Sequence, residues 1–101
     1  LVTAGQVGVT PEGTVPEGFE AQHDLIWQNT LAILEDAGFG PEHIVRLNVY
    51  STDPSGLQFL MPHREKYLAP GHVPASTWVV ISQLANPQWV VEMETIAAKP
   101  E

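Results

Sequence analysis

The sequence predicts one α+β domain, in which a mixed β-sheet carries two helices on one face. A chain of 101 residues has room for a single domain. Its hydrophobic content of 44% is ordinary for a globular protein and is sufficient for a core. Strand and helix patterns follow in the order strand, helix, strand, helix, strand, strand, which places both helices against the same mixed sheet. Because no repeat or linker divides the chain, we assign residues 1–101 to this domain.

The first part of the chain predicts a strand, a loop and a long helix. Leu1–Val7 has the composition of a strand, and Gly8–Gly18 is rich in Gly, Pro and Thr, as loops are. Phe19–Ala37 contains no Pro or Gly, and its apolar residues recur at the spacing of one helix face. The helix should end there because stop signals follow, namely Gly38, Gly40 and Pro41.

A second strand and a second helix come next. The strand Ile44–Ser51 should place Val45, Leu47 and Val49 on one face and Arg46, Asn48 and Tyr50 on the other. Asp53 and Pro54 have the pattern of a helix cap and a first-turn proline, and the helix should reach Leu68. Pro62 either kinks this helix or lies in the first turn of its regular part.

Two β-rich runs complete the predicted sheet. Thr77–Leu84 and Gln88–Ala98 are joined by the turn signal Ala85-Asn86-Pro87. In the last run, alternation should place Trp89, Val91 and Met93 on one face and Glu92 and Glu94 on the other.

The charge and cysteine content restrict the partners of the protein. With 12 acidic and four basic residues the formal charge is −8, so we expect no nucleic acid and no anionic membrane surface as a partner. No apolar run approaches the ~20 residues that span a bilayer, and no signal-peptide pattern opens the chain. The absence of cysteine excludes thiolate catalysis and zinc–thiolate sites. These features predict a soluble, cytoplasmic protein.

The histidines do not predict a metal site. They are scattered and form no two-histidine helical pair: His23, His43, His63 and His72. His23 lies on the apolar face of the first helix, where we expect a packed and hydrogen-bonded core residue.

The final third of the chain carries a family signature. Pro74-Ala75, then a strand, Gln83-Leu84, a short turn and Val91–Ala97 (VEMETIA) resemble the C-terminal signature of the RidA family, also called YjgF or endoribonuclease L-PSP-like proteins. Thr3–Gln6 resembles the Thr-Ser-Gly-Gln stretch on an early strand of that family, and the helix ending at Ala37-Gly38 is similar to the family's first helix. The resemblance spans nearly the whole chain in order.

The resemblance implies a chorismate-mutase-like fold and a homotrimer with small-molecule clefts between adjacent subunits. Family members usually carry a further N-terminal strand, which this sequence does not show. The implied activity is hydrolysis of enamines and imines, such as 2-aminoacrylate, to ketoacids and ammonia. It implies no cofactor and no metal.

The chain departs from the family pattern at several substrate-binding positions. In deaminating members an arginine follows Pro-Ala and pairs with the substrate carboxylate, a task that suits a bidentate guanidinium. Ser76 stands at that position here. Trp78 stands where cysteine is frequent, Ala4 where the early strand has serine, and Met61 where the second helix often has asparagine. We therefore expect weak hydrolysis of 2-aminoacrylate and a different ligand in the cleft.

Other positions match the family site. Gly5 corresponds to a glycine that lines the cleft, and Glu94 to the glutamate that orients or activates the attacking water, as a general base can. Glu92 shares the strand face of Glu94 and is either a solvated edge residue or a second site carboxylate. Ser76 and Thr77 should provide hydrogen bonds beside the cleft, and Trp78 an aromatic wall.

Two arginines elsewhere in the chain are alternative candidates for binding a substrate carboxylate. Arg46 matches a lysine position away from the family cleft, so we expect it at the surface or a subunit interface. Arg64 lies on the second helix, which borders the cleft in relatives, and is a weaker candidate.

Three functions remain open. The leading hypothesis is a trimeric hydrolase of imines or enamines without the arginine clamp, in which Glu94 handles water. The second is a non-catalytic trimer that binds a small molecule or a protein. The third is a ribonuclease or translation inhibitor, which the acidic composition disfavours. A serine hydrolase is also disfavoured, because no nucleophile-elbow glycines surround Ser76.

Overall fold

The computed structural model describes residues 1–100 and has the predicted order of elements. These are β1 (Gln6–Val7), α1 (Phe19–Asp36), β2 (Ile44–Ser51), α2 (Leu60–Tyr67), β3 (Ala75–Val80) and β4 (Val91–Ala97). Short 3-10 helices at Pro41–His43 and Pro54–Phe59 precede β2 and α2. The predicted α+β class is confirmed.

The four strands form one mixed sheet in the order β1-β4-β2-β3. β3 is parallel to β2, whereas β4 is antiparallel to both β1 and β2. The last strand is therefore inserted in the middle of the sheet, and β1 and β3 form its two edges. Three inter-strand spacings of about 4.8 Å separate these edges, roughly 14 Å in all.

Both helices contribute to one core on a single face of the sheet. Ile26 and Trp27 of α1 and Leu60 of α2 are buried in the same cluster as Leu47 and Met93 of the strands. The other side of the sheet, which we call the open face, carries half-buried and mostly polar side chains. These include Arg46, Asn48, Tyr50, Thr77, Glu92 and Glu94.

Pro62 lies in the first turn of α2, so the second of the two predicted alternatives is confirmed. The segment Pro54–Phe59 is a 3-10 helix, and the α-helix begins only at Leu60. A first-turn residue has no intrahelical partner for its N–H, so a proline there costs no hydrogen bond. Asp53 caps the preceding 3-10 helix, because its carboxylate accepts a hydrogen bond of 2.9 Å from the backbone N–H of Ser55.

The prediction for one face of β2 was wrong at Val45. The register of β2 against β4 shifts between Ile44 and Arg46, as it does at a β-bulge. Ile44 is consequently buried in the core, while Val45 is 46% exposed. Simple alternation cannot indicate such an extra residue.

Three strand boundaries also differ from the prediction. β1 is reduced to Gln6–Val7, with one isolated bridge at Val2. β3 ends at Val80 and β4 starts at Val91, because the segment 81–90 has to carry the chain around the end of β2. Two backbone hydrogen bonds fix that crossing, from Ile81 N to Ser51 O at 2.8 Å and from Thr52 N to Val90 O at 3.0 Å.

The two helices meet through a seam of four stacked rings: Phe19 and His23 of α1, Phe59, and His63 of α2. The Nδ1 atoms of His23 and His63 lie 2.6 Å apart, so one ring donates and the other accepts. Burial, with a smaller contribution from His63, lowers the pKa of His23 to about 3. The expectation that His23 is a packed, hydrogen-bonded core residue is confirmed.

Candidate functional site

The residues predicted for the site lie in two groups at opposite edges of the sheet. Ala4 and Gly5 are beside the β1 edge. Met61, Ser76, Thr77 and Trp78 are on α2 and β3, at the other edge. Glu94 lies between them on β4.

At the β1 edge, Gly5 is in contact with a glutamate of β4. A Cβ atom built on Gly5 would overlap the carboxylate of Glu92. The missing side chain therefore leaves room for this carboxylate to lie against the backbone. Ala4 is exposed, and its carbonyl accepts a hydrogen bond of 3.0 Å from Gln6 Nε2.

Glu94 lies on the open face, on the same side as Glu92 and opposite the buried Val91 and Met93, as predicted. Its Oε1 accepts a hydrogen bond of 2.7 Å from the hydroxyl of Tyr50 on β2. This hydrogen bond is the main reason that the pKa of Tyr50 is raised. The phenol therefore stays protonated and orients the Glu94 carboxylate.

At the β3 edge, the three predicted site residues do not share one face. Ser76 and Trp78 pair with Leu47 and Val49 of β2 and therefore point to the helix-covered side. Thr77 points to the open face, where its Oγ1 accepts a hydrogen bond of 2.8 Å from Arg46.

Trp78 belongs partly to the core. Its ring contacts Phe19 edge-on, with 5.8 Å between the ring centroids. One side of the indole is thus fixed by α1, while the residue remains half-buried. Its role as the aromatic wall of a cleft stays a prediction.

Arg64 of α2 reaches Ser76, the residue that follows Pro74-Ala75 on β3. Its Nη2 donates a hydrogen bond of 2.5 Å to the hydroxyl of Ser76. Burial lowers the pKa of Arg64, although a guanidinium starts so high that it remains charged. From the sequence, Arg64 was the weaker of the two alternative anchors, named because the family resemblance places the second helix beside the cleft. Its contact with Ser76 was not predicted.

A cavity of about 250 Å³ opens beside this arginine, between α2 and the loop 69–74. Its wall is mainly apolar and includes Met61, Arg64, Leu68, Val73 and Pro74. Met61 and Arg64 therefore border the same space. Neither Gly5 nor Glu94 is among the residues that line it.

A single chain does not bring the predicted site together. Gly5 lies with Glu92 at one edge, Ser76 lies with Arg64 at the other, and β4 and β2 separate the two pairs. The roles of Glu94, Gly5 and Ser76 in a common cleft therefore stay predictions.

A second cavity, of about 440 Å³, borders α1 at Gln22. The buried amide of Gln22 donates 2.9 Å hydrogen bonds to the carbonyls of Pro16 and Gln88 and accepts one of 3.0 Å from Val90 N. Its polar atoms are thus used to hold loops together.

Within residues 1–100, no group of three or more histidine, aspartate and glutamate side chains is arranged to hold a metal ion. Over the same residues, no helix has both the length and the apolar composition needed to cross a membrane.

Comparison with known proteins gives consistent matches along the chain. Residues 1–99 match the family model described as Endoribonuclease L-PSP. A RutC family protein from Aquifex aeolicus is 38% identical over 102 residues, which cover 98% of this chain and 80% of that protein.

Solved structures of similar proteins have the same fold. RidA from an Antarctic Psychrobacter species matches with a TM-score of 0.87 and 34% identity, covering 95% of this chain and 77% of that chain. The YjgF gene product from E. coli matches with a TM-score of 0.86 and 28% identity, covering 98% and 80%.

Proposed function

The chain belongs to the endoribonuclease L-PSP family, the family of RidA, YjgF and RutC proteins, and on that premise we propose that it is a homotrimer that hydrolyses imines or enamines in clefts between its subunits. The observation that carries this proposal is the division of the site residues between the two edges of one sheet.

The separation of the edges supports a cleft shared by two copies. Roughly 14 Å of sheet lies between β1 and β3, which is wider than a small imine. If the β1 edge of one copy meets the β3 edge of the next, Gly5 and Glu92 come to face Ser76 and Arg64. A contact between two different surfaces repeats around a ring when the rotation closes, and a ring of three is the trimer that the family resemblance implies.

The surfaces at both edges are suited to such a contact. Val79 and Val80 of β3 and Val2 beside β1 are exposed apolar residues. An exposed edge strand with apolar side chains is a ready site for pairing or packing with another chain. Burial between copies would remove this apolar surface from water.

The open face supplies the groups that hydrolysis requires. Water adds to the carbon of a C=N bond while a carboxylate accepts one of its protons, and transfer of that proton to nitrogen gives a carbinolamine. The hydroxyl proton of the carbinolamine then passes to nitrogen, the C–N bond breaks, and ammonia leaves a carbonyl behind. An enamine enters the same sequence after protonation at its β-carbon and loss of a proton from nitrogen give the imine. We assign the base to Glu94, which Tyr50 orients. Glu92, which lies against Gly5, is the alternative base.

A non-catalytic trimer that binds a small molecule is the second candidate. The hydrogen bond from Tyr50 occupies one oxygen of Glu94, and Trp78 narrows the β3 edge. Both features are compatible with a cleft that binds without turning over its ligand.

Release of ammonia from imines generated in situ tests the proposal. The wild-type protein should accelerate hydrolysis, and Glu94→Gln should lower the rate by roughly 100–10,000-fold while preserving the fold. Glu92→Gln is the comparison variant, since it removes the alternative base from the same strand face. A larger loss in Glu92→Gln would move the catalytic role to Glu92. A wild-type protein that accelerates none of a panel of imines would overturn the hydrolase and leave the binding protein.

A further inference from the structure

A guanidinium without a carboxylate partner lies at the β3 edge. Arg64 is half-buried, and its one side-chain hydrogen bond within residues 1–100 goes to the neutral hydroxyl of Ser76. No carboxylate of these residues forms an ion pair with it. A guanidinium has five N–H donors, and removing it partly from water without a counter-charge is costly.

Lys66, which lies on the same helix, does have a carboxylate partner. Lys66 donates to Asp24 of α1 at 3.0 Å, so that α2 has one paired and one unpaired positive charge. Glu65 lies next to Arg64 in the chain and lines the same cavity, yet it forms no ion pair with Arg64. The residue with the unpaired charge thus lines a cavity that has room for a small anion.

The shape and lining of that space indicate what kind of anion. The cavity of about 250 Å³ is walled by apolar residues that include Met61, Leu68, Val73 and Pro74, and Arg64 also lines it. A bidentate pair with an arginine suits a planar carboxylate. An apolar wall suits a short hydrocarbon chain attached to that carboxylate.

We infer that Arg64 is the carboxylate-binding residue of this chain and that the cavity beside α2 binds small carboxylates with an apolar remainder. The positive charge comes from α2 and reaches the β3 edge through its hydrogen bond with Ser76. The Ser76 hydroxyl accepts from Nη2 and so orients the guanidinium, which leaves the remaining donors for the ligand. This inference rests on the proposed function, because it names the substrate class of the same cleft.

Binding of a simple carboxylate and of its uncharged counterpart tests the inference without any turnover. The probes are butanoate and butanamide, titrated into the native protein and followed by NMR chemical shifts. Arg64→Gln should weaken butanoate binding on the order of 10–100-fold, since it removes a charge-assisted bidentate contact. It should leave butanamide binding nearly unchanged. Lys66→Gln, which removes an equal charge two residues away, is the control and should retain the preference for butanoate.

Two results would overturn the inference. One is an Arg64→Gln variant that still prefers butanoate as the wild type does. The other is an equal loss of butanoate and butanamide binding, which would show that Arg64 only shapes the cavity. The titration measures binding only, so it is independent of the ammonia-release assay. A protein that hydrolyses no imine but prefers butanoate through Arg64 would refute the hydrolase and retain the inference. A protein that hydrolyses neutral imines but shows no preference for butanoate would retain the hydrolase and refute the inference about Arg64.

Discussion

At the scale of single residues, we propose that the site takes its positive charge from the second helix. The strand position after Pro74-Ala75 has a serine, and the guanidinium comes from Arg64, 12 positions earlier in the chain. Two guanidiniums at this place would repel one another, because a half-buried site screens like charges poorly.

A variant with an arginine at position 76 tests whether Arg64 supplies the charge that binds the carboxylate. Ser76→Arg in the wild-type chain should not improve carboxylate binding, because the new side chain meets Arg64. The same substitution combined with Arg64→Gln should restore part of the binding that Arg64→Gln loses, as measured by butanoate titration. If Ser76→Arg alone strengthens binding tenfold, Arg64 is not close enough to the ligand for the proposed role.

The sequence could indicate Ser76 but not its partner. Ser76 follows from its place after Pro74-Ala75, whereas the contact with Arg64 depends on how α2 packs beside β3. The pairing of Glu92 with Gly5 also depends on the register of β1 against β4, which local spacing does not encode. Residue types at motif positions were therefore predictable, and contacts between elements were not.

At the scale of elements, the prediction was best where one local pattern decides the structure. The bounds of β2 were predicted as Ile44–Ser51, and α1 ends at Asp36, one residue before the predicted Ala37. The ends of β3 and β4 were less predictable, because the crossing over β2 is a property of the whole sheet. The bulge at Val45 likewise arises between two strands.

The seam between the helices makes stability depend on pH. The folded-state pKa of His23 is about 3, mainly because of burial and then because of His63 and Arg64, while Asp24 acts in the opposite direction. Burial also lowers the pKa of His63. An unfolded histidine titrates near 6.5, so between pH 6.5 and 3 the unfolded chain binds a proton that folded His23 does not.

Stability should therefore be fully present above pH 6.5 and fall as the pH decreases toward 3. The expected slope is about 1.4 kcal/mol per pH unit for each proton taken up. Urea unfolding followed by circular dichroism between pH 4 and 8 measures it. His23→Gln should reduce the slope, because the buried group no longer titrates. A free energy of unfolding that is constant over this range would contradict the account.

At the scale of the whole molecule, the distance between the two edges of the sheet means that one chain alone cannot form the predicted cleft. β1 and β3 each carry half of the predicted cleft, and they are separated by β4 and β2. The family resemblance alone predicted an assembly, since no periodicity within a chain describes a contact between copies. The observed strand order, with β1 and β3 at opposite edges, supports the proposed assembly.

The proposed homotrimer has a mass that light scattering can measure. A homotrimer of the 11.0 kDa chain should scatter light as a particle of three times that mass at micromolar concentration. Substituting a charge for exposed apolar Val79, as in Val79→Glu, should shift the protein toward a smaller species. A stable monomer of the wild-type chain would contradict the shared cleft.

The most direct test of a cleft shared between copies is complementation in mixed oligomers. Glu94→Gln and Arg64→Gln are produced together in equal amounts, and hydrolysis of an imino acid is compared with that of each variant alone. If each cleft takes Glu94 from one copy and Arg64 from the next, random assembly leaves about a quarter of the clefts intact. The account predicts that the mixture regains about a quarter of the wild-type rate. A mixture that is no more active than the two variants measured separately would contradict it.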